Sequence, residues 1–203
     1  MVSFKAIRDP AADHLLTPQN SALIIIDYQP VQVSSIASRG KRELVANITA
    51  LARIAKLYNL PVVLSTVNVS TGINKPTIHQ ITDVLKYVEP IDRTTINAWE
   101  DEDFQRAVKA TGRKKLIMAA LWTEACLTYP SLDAMRDGFD VYPVVDCVGG
   151  TSLEAHEAAL RRVAQAGGKL TSWVQIICEL QRDWNRKATA PAFAEILFSI
   201  VGN

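Results

Sequence analysis

Three side chains in this sequence have types that can do chemistry together: Asp27, Arg93 and Cys126. Cys126 lies in the stretch Ala120–Pro130, ALWTEACLTYP, just after an apolar run, and is one of three cysteines in the chain. A thiolate is a strong nucleophile, but an ordinary thiol needs a base or a favourable field to form one. Thr123 reads as an N-cap, which places Cys126 at the third position of a helix. The amides there lack intrahelical partners and the helix end carries partial positive charge. Such a place lowers a thiol pKa and offers N–H groups to a developing oxyanion. A buried, inert cysteine is the competing reading. Cys147 and Cys178 lack this setting and read as packing residues.

Asp27 follows the run Ser21-Ala-Leu-Ile-Ile-Ile. A carboxylate in a dry crevice can serve a thiol as its base. An acid in that place can also do no more than cap the next turn. A nearby anion disfavours a thiolate unless it takes the proton or a cation compensates. Arg93 supplies such a cation and stays charged at any relevant pH. Its alternative reading is an ordinary surface arginine.

The elements that position these residues alternate strand and helix. Ser21–Asp27 reads as a strand buried on both faces. Leu44, Val45, Ile48, Leu51, Ile54 and Ala55 recur at helical spacing within 41–58. Leu60–Thr66 is a second strand. Between Val67 and Thr95 the signals are ambiguous: 78–88 can hold a helix and 90–93 a short strand. A helix over 101–110, a strand over 115–121, a helix over 124–137 stopped by Gly138, and a strand over 139–145 follow. Pro143 forbids one ladder bond and suggests an edge or a bulge. A helix over 152–166, a last strand over 169–173 and a helical remainder complete the chain. This alternation implies one α/β domain, 1–203, around a parallel sheet with helices on both faces. In such sheets ligands sit at the carboxyl ends of the strands. That rule brings Asp27, Arg93 and Cys126 to one crevice.

The bulk properties exclude several classes. The formal net charge is +1, which gives no general attraction to nucleic acid or acidic membranes. The run Arg113-Lys114-Lys115 reads as a solvated turn. The N-terminus does not resemble a secretory leader, and no apolar segment is long enough to span a bilayer. Three separated cysteines argue for a reducing compartment, the cytoplasm. His14, His79 and His156 are isolated and read as surface or hydrogen-bonding residues, not as a zinc site. No G-x-G-x-x-G follows the first strand, so no dinucleotide cofactor is expected.

The ordered set Ala22-Leu-Ile-Ile-Ile-Asp27-Tyr-Gln29, Asn97-Ala98-Trp99, Leu121-Trp-Thr-Glu-Ala-Cys126 and Val145-Asp146 resembles the isochorismatase-like cysteine hydrolase family. The stretches Ile96–Phe104, Lys109–Gly112 and Cys178–Trp184 are similar to its YcaC-type subgroup. The resemblance implies a three-layer α/β/α sandwich with a six-stranded, mainly parallel sheet. It implies Asp27 as base, Cys126 as nucleophile and Arg93 in the position of the family's usual lysine. It also implies a cis peptide at Leu121–Trp122 and an oxyanion hole made by the N–H groups of Trp122 and Cys126. Metal-binding relatives carry an Asp-x-His…His motif after the second strand. Residues 68–79 here hold one histidine and no matching aspartate, so no catalytic metal and no other cofactor are expected.

The implied reaction is hydrolysis of an amide-type carbon–nitrogen bond in a small molecule, through a thioester. Tyr28, Asn97, Trp99 and Tyr129 adjoin the motifs and can line the substrate pocket, with Trp122. Trp99 can equally be core. A binding protein without turnover and a redox-sensing thiol remain rival readings on the same fold. The subgroup forms homo-oligomers, often octamers. The apolar tail 193–201 fits a subunit contact, or a helix docked on its own domain.

Overall fold

The structure is a computed structural model and describes residues 8–201. The first residues of the segment read as lacking a secretory leader lie outside the described range. Five strands form one sheet: β1 (Ser21–Ile26), β2 (Val62–Val67), β3 (Ile91–Arg93), β4 (Lys115–Ala120) and β5 (Asp140–Pro143), in the order β3-β2-β1-β4-β5. Every neighbouring pair is parallel. β1 is central and buried along its whole length. Its β-branched isoleucines suit a pleated surface covered on both faces. Each such side chain contributes about 1.5–3 kcal/mol by leaving water.

The helices are α1 (Pro30–Ser35), α2 (Lys41–Leu57), α3 (His79–Thr82), α4 (Glu102–Ala110), α5 (Thr128–Arg136), α6 (Leu153–Gln165), α7 (Trp173–Gln181) and α8 (Ala190–Val201). α2 packs with α3, α7 and α8 in one layer, while α5 packs with α6 in the other. The starts of α4, α6 and α7 are fixed by Asp101, Ser152 and Ser172, whose side chains accept from Phe104, Ala155 and Gln175 N–H. α5 stops at Gly138, with φ of 84°. The Phe139 and Gly138 amides turn back to the Ala134 and Met135 carbonyls there, closing the last turn. Phe193 and Ile196 of α8 are buried in the chain's own core, while Phe198 is exposed.

Four expectations need correction. The sixth strand is a single parallel bridge, Val144 to Thr171. Ser172 caps α7, and the Trp173 amide donates to Asp146 at 3.1 Å, so the chain turns into a helix before a strand can extend. The helix expected over 78–88 is one turn, α3, followed by further turns to Val88. Lys115 is not solvated: it is buried, and its ammonium donates to the Asp13, His14 and Leu15 carbonyls. Cys178 is exposed rather than packed.

The strand order sets the site. From β1 the chain runs to β2 and β3 on one side, then crosses to β4 and β5 on the other. The order therefore reverses between β1 and β4. The residues leaving these two strands stand where the strand-order rule places a ligand site.

Candidate active site

Asp27 leaves β1 and turns sharply, with φ of 63°. Side chains rarely take this left-handed region, though aspartate tolerates it better than most. The turn is held by the Asp27 amide, which donates to the Ser65 carbonyl of β2 at 3.0 Å. The Gln29 amide then donates back to the Asp27 carbonyl at 2.8 Å. The carboxylate is fully enclosed, with 0% exposure.

Arg93 is the last residue of β3 and pairs with Val67 in register. Its Nη1 lies 2.7 Å from Asp27 Oδ1 and its Nη2 lies 2.7 Å from Asp27 Oδ2. This is a two-pronged, charge-assisted clamp. Nη1 also reaches Ser65 Oγ at 3.1 Å and the Thr66 carbonyl at 3.0 Å, and Nη2 the Ile96 carbonyl at 3.2 Å. Burial alone would lower the guanidinium pKa, but the hydrogen bonds and charge of Asp27 outweigh it and hold Arg93 above its ordinary value. The surface reading of Arg93 is excluded, since it is 3% exposed.

Cys126 follows β4, on the turn Thr123–Leu127. The Leu121–Trp122 peptide is cis. Trp122, not Thr123, is the cap of the helical segment that follows, and it makes no side-chain capping bond. Thr123 is already helical, and its hydroxyl pairs instead with His156 Nδ1 at 2.8 Å. The helix expected over 124–137 is divided. Residues Thr123–Leu127 form one wide turn, in which the Leu127 amide reaches back five residues to the Trp122 carbonyl at 3.2 Å. α5 begins only after it. Pro130 is the cause. It has no N–H for the Cys126 carbonyl four residues earlier, and its ring would press on that oxygen in a regular helix. A wide turn relieves the conflict, a device frequent at functional sites.

Cys126 is buried, with 8% of the residue exposed. Burial and then the Asp27 carboxylate, as a nearby anion and as its hydrogen-bond acceptor, push its pKa up to about 12. Arg93 and the Trp122 backbone N–H pull the other way and lose. The lowered pKa expected at a helix start is therefore corrected. The helix-end field is weaker than burial beside an anion.

The structure thus brings Asp27, Arg93 and Cys126 together. It gives several other candidates structural roles. The Tyr28 hydroxyl donates to the Cys147 carbonyl in the interior. Trp99 is core: it stacks edge-on with Phe104 and Phe139 at 6.1 and 5.6 Å, and its Nε1 donates to Asp137 at 2.9 Å. Asn97 caps the turn 98–100, accepting from the Trp99 amide at 3.0 Å and donating to Asp133 at 2.7 Å. Tyr129 and Trp122 keep solvent exposure, and Trp122 Nε1 donates to Ser35 at 2.7 Å. Among the described residues, no group of three His, Cys, Asp or Glu side chains is placed to hold a metal ion.

Two residues went unrecognised as parts of this arrangement. Gln29 is buried and pairs with both backbone groups of Val67 at 3.0 Å, and with the Lys75 carbonyl at 2.7 Å. It ties the segment after β2 to the turn that carries Asp27. Ser65 touches both charged residues. Gln29 had a signal in its closeness to Asp27, while Ser65 had none beyond its place in a strand.

Residues 21–175 match the family described as the isochorismatase domain. The chain belongs to the isochorismatase family. It is 38% identical over 170 residues to the probable hydrolase YcaC of Escherichia coli, covering 83% of this chain and 81% of that one. Among solved structures it is similar to YcaC from Pseudomonas aeruginosa with hexane-2,5-diol and covalent acrylamide, at 34% identity and a TM-score of 0.82, covering 94% of this chain and 98% of that one. It is equally similar to the Escherichia coli YcaC product, described as an octameric hydrolase of unknown specificity, at 34% identity and a TM-score of 0.82, covering 92% and 96%. The α/β fold with its parallel sheet is that of this isochorismatase family.

Proposed function

We propose that this protein is a metal-independent cysteine hydrolase that cleaves an amide-type carbon–nitrogen bond of a small molecule through a thioester. The carrying observation is the buried trio itself: a thiol beside a carboxylate that is clamped at both oxygens by an arginine. At pH 7 a thiol with a pKa of about 12 lies about 7 kcal/mol from its thiolate. A free thiolate does not accumulate. Asp27 takes the proton as Cys126 sulfur attacks the carbonyl carbon. The net charge of the trio is unchanged by this transfer, and Arg93 then faces the negative charge on sulfur and oxygen. The N–H groups of Trp122 and Cys126 hold the oxyanion. Asp27 returns the proton to the leaving nitrogen as the carbon–nitrogen bond breaks. Water then attacks the thioester, with Asp27 as base, and the proton returns to sulfur.

The relatives support this reading. The Escherichia coli relative YcaC is named a probable hydrolase, and its structure is described as that of a hydrolase of unknown specificity. The Pseudomonas aeruginosa structure holds a covalent acrylamide, whose electrophilic alkene carbon accords with a nucleophile in that relative. A protonated thiol makes a slow oxidant sensor, which weakens the redox alternative. A small-molecule amide, rather than nucleic acid or membrane, is the proposed partner. No described helix is long and apolar enough to cross a membrane. Three unpaired cysteines accord with a reducing, cytoplasmic setting. A homo-oligomer, an octamer as named for the Escherichia coli relative, is the proposed assembly, and light scattering tests it.

A panel of small amides with ammonia detection tests the activity. Turnover is expected in the native protein and not in Cys126→Ala. Equal hydrolysis by the two proteins would refute the proposal.

A further inference from the structure

We propose that Ser65 is a positioning residue for this chemistry, its hydroxyl holding the Arg93 guanidinium in the register that clamps Asp27. The inference rests on the reading of Asp27 and Cys126 as the reacting pair. Ser65 lies in β2, fully buried, opposite Ile26 of β1. Two of its atoms reach the two charged residues. Its carbonyl accepts the Asp27 amide at 3.0 Å. Its hydroxyl donates to the Ile91 carbonyl at 3.0 Å, which fixes the oxygen as an acceptor, and Arg93 Nη1 reaches that oxygen at 3.1 Å.

The remaining partners of Arg93 explain why this contact counts. Apart from Asp27, the hydrogen bonds of its Nη atoms go to the Ser65 hydroxyl and to the Thr66 and Ile96 carbonyls. Nε is buried with no partner. Nη1 carries two hydrogens and faces three acceptors, Asp27 Oδ1, Ser65 Oγ and the Thr66 carbonyl, so the Ser65 hydroxyl acts on the direction of these donors rather than on whether they are paired. The backbone acceptors move only with their strands. The Ser65 hydroxyl is the neutral side-chain acceptor that steers the fork. Without it, the guanidinium is free to tilt from the two-oxygen register, and the thiol loses part of the cation that opposes the Asp27 charge. A serine used only for packing would not behave so, because alanine fills nearly the same volume.

The test follows alkylation of Cys126 by iodoacetamide from pH 7 to 10, with site-resolved mass spectrometry, in native protein, Ser65→Ala and Ser65→Thr. Ser65→Ala is expected to slow Cys126 about tenfold at each pH, the scale of one hydrogen bond to a charged group. Exposed Cys178 serves as the internal control and should keep its rate. Ser65→Thr keeps the hydroxyl and should react as the native protein does. Where an amide substrate is found, Ser65→Ala should lower kcat and spare KM. Native-like Cys126 alkylation in Ser65→Ala, with or without a loss in Tm, would overturn the inference. Equal slowing in both variants would also overturn it. The alkylation arm needs no turnover, so failure of the hydrolase reading, seen as no Cys126-dependent ammonia release, is separable from failure of this one.

Discussion

Arg93 and Asp27 meet edge to edge, Nη1 to Oδ1 and Nη2 to Oδ2, both at 2.7 Å, with neither side chain exposed to solvent. The pair joins the ends of β1 and β3, which are separated in the sheet by β2. Taking both charges out of water is costly, so the pair is weak evidence for stability. It has a clear chemical use. It holds a carboxylate aimed beside a buried thiol that needs a base.

Removing one partner should therefore do more harm than removing both. Arg93→Met leaves the Asp27 carboxylate buried and uncompensated, and is expected to destabilise by about 3–5 kcal/mol. The double variant Arg93→Met with Asp27→Asn should regain much of that loss. Urea denaturation midpoints of the single and double variants check this. Equal instability of the two would show that packing, not charge, dominates.

The raised thiol pKa makes a prediction about labelling. Iodoacetamide should modify exposed Cys178 first at neutral pH, while Cys126 reacts slowly and speeds up by about tenfold per pH unit as its thiolate fraction grows toward pH 12. Rapid, pH-independent labelling of Cys126 near pH 7 would mean that its thiol ionises easily, against the burial described above.

Stability should carry the same signature. Cys126 has a folded pKa of about 12, raised from an ordinary value near 9. Between these values the unfolded chain has lost the proton and the folded chain keeps it. The contribution is thus fully present below pH 9 and is lost as pH rises toward 12. Three pH units correspond to about 4 kcal/mol at most. Cys126→Ala should flatten the alkaline fall in unfolding free energy by a measurable part of this amount. An identical fall in both proteins would place the alkaline sensitivity elsewhere, for instance at Cys147 or Tyr28, whose acid groups burial also pushes up.

Much of this architecture is legible in the sequence, and the gaps have physical causes. The apolar, β-branched runs at Ser21–Ile26 and Lys115–Ala120 announce strands because nothing else buries such runs on both faces. The strand-end rule then selects Asp27, Arg93 and Cys126. Trp99 and Tyr28 misled because a neighbouring motif says which residues are close along the chain, not which way a ring turns. Trp99 turns to Phe104 and Phe139. The last strand failed because Ser172 competes for the same residues as a helix cap. Ser65 is invisible without tertiary contacts, since a strand serine carries no periodic or spacing signal.

Pro130 is the signal that was available and decides the geometry around Cys126. Six residues after the start of the expected helix, it denies the Cys126 carbonyl its usual donor and enforces the wide turn Thr123–Leu127. Pro130→Ala supplies the missing N–H, and a regular helix becomes possible there. Stability should then stay level or rise. The sulfur, however, is carried on the turn that the helix replaces, and a shift of about 1 Å can cost about 100-fold in rate. The expected outcome is a Tm equal to or above that of the native protein, with Cys126-dependent amide hydrolysis reduced by about that factor. Full hydrolysis in a well-folded Pro130→Ala protein would show that the wide turn does not place the thiol.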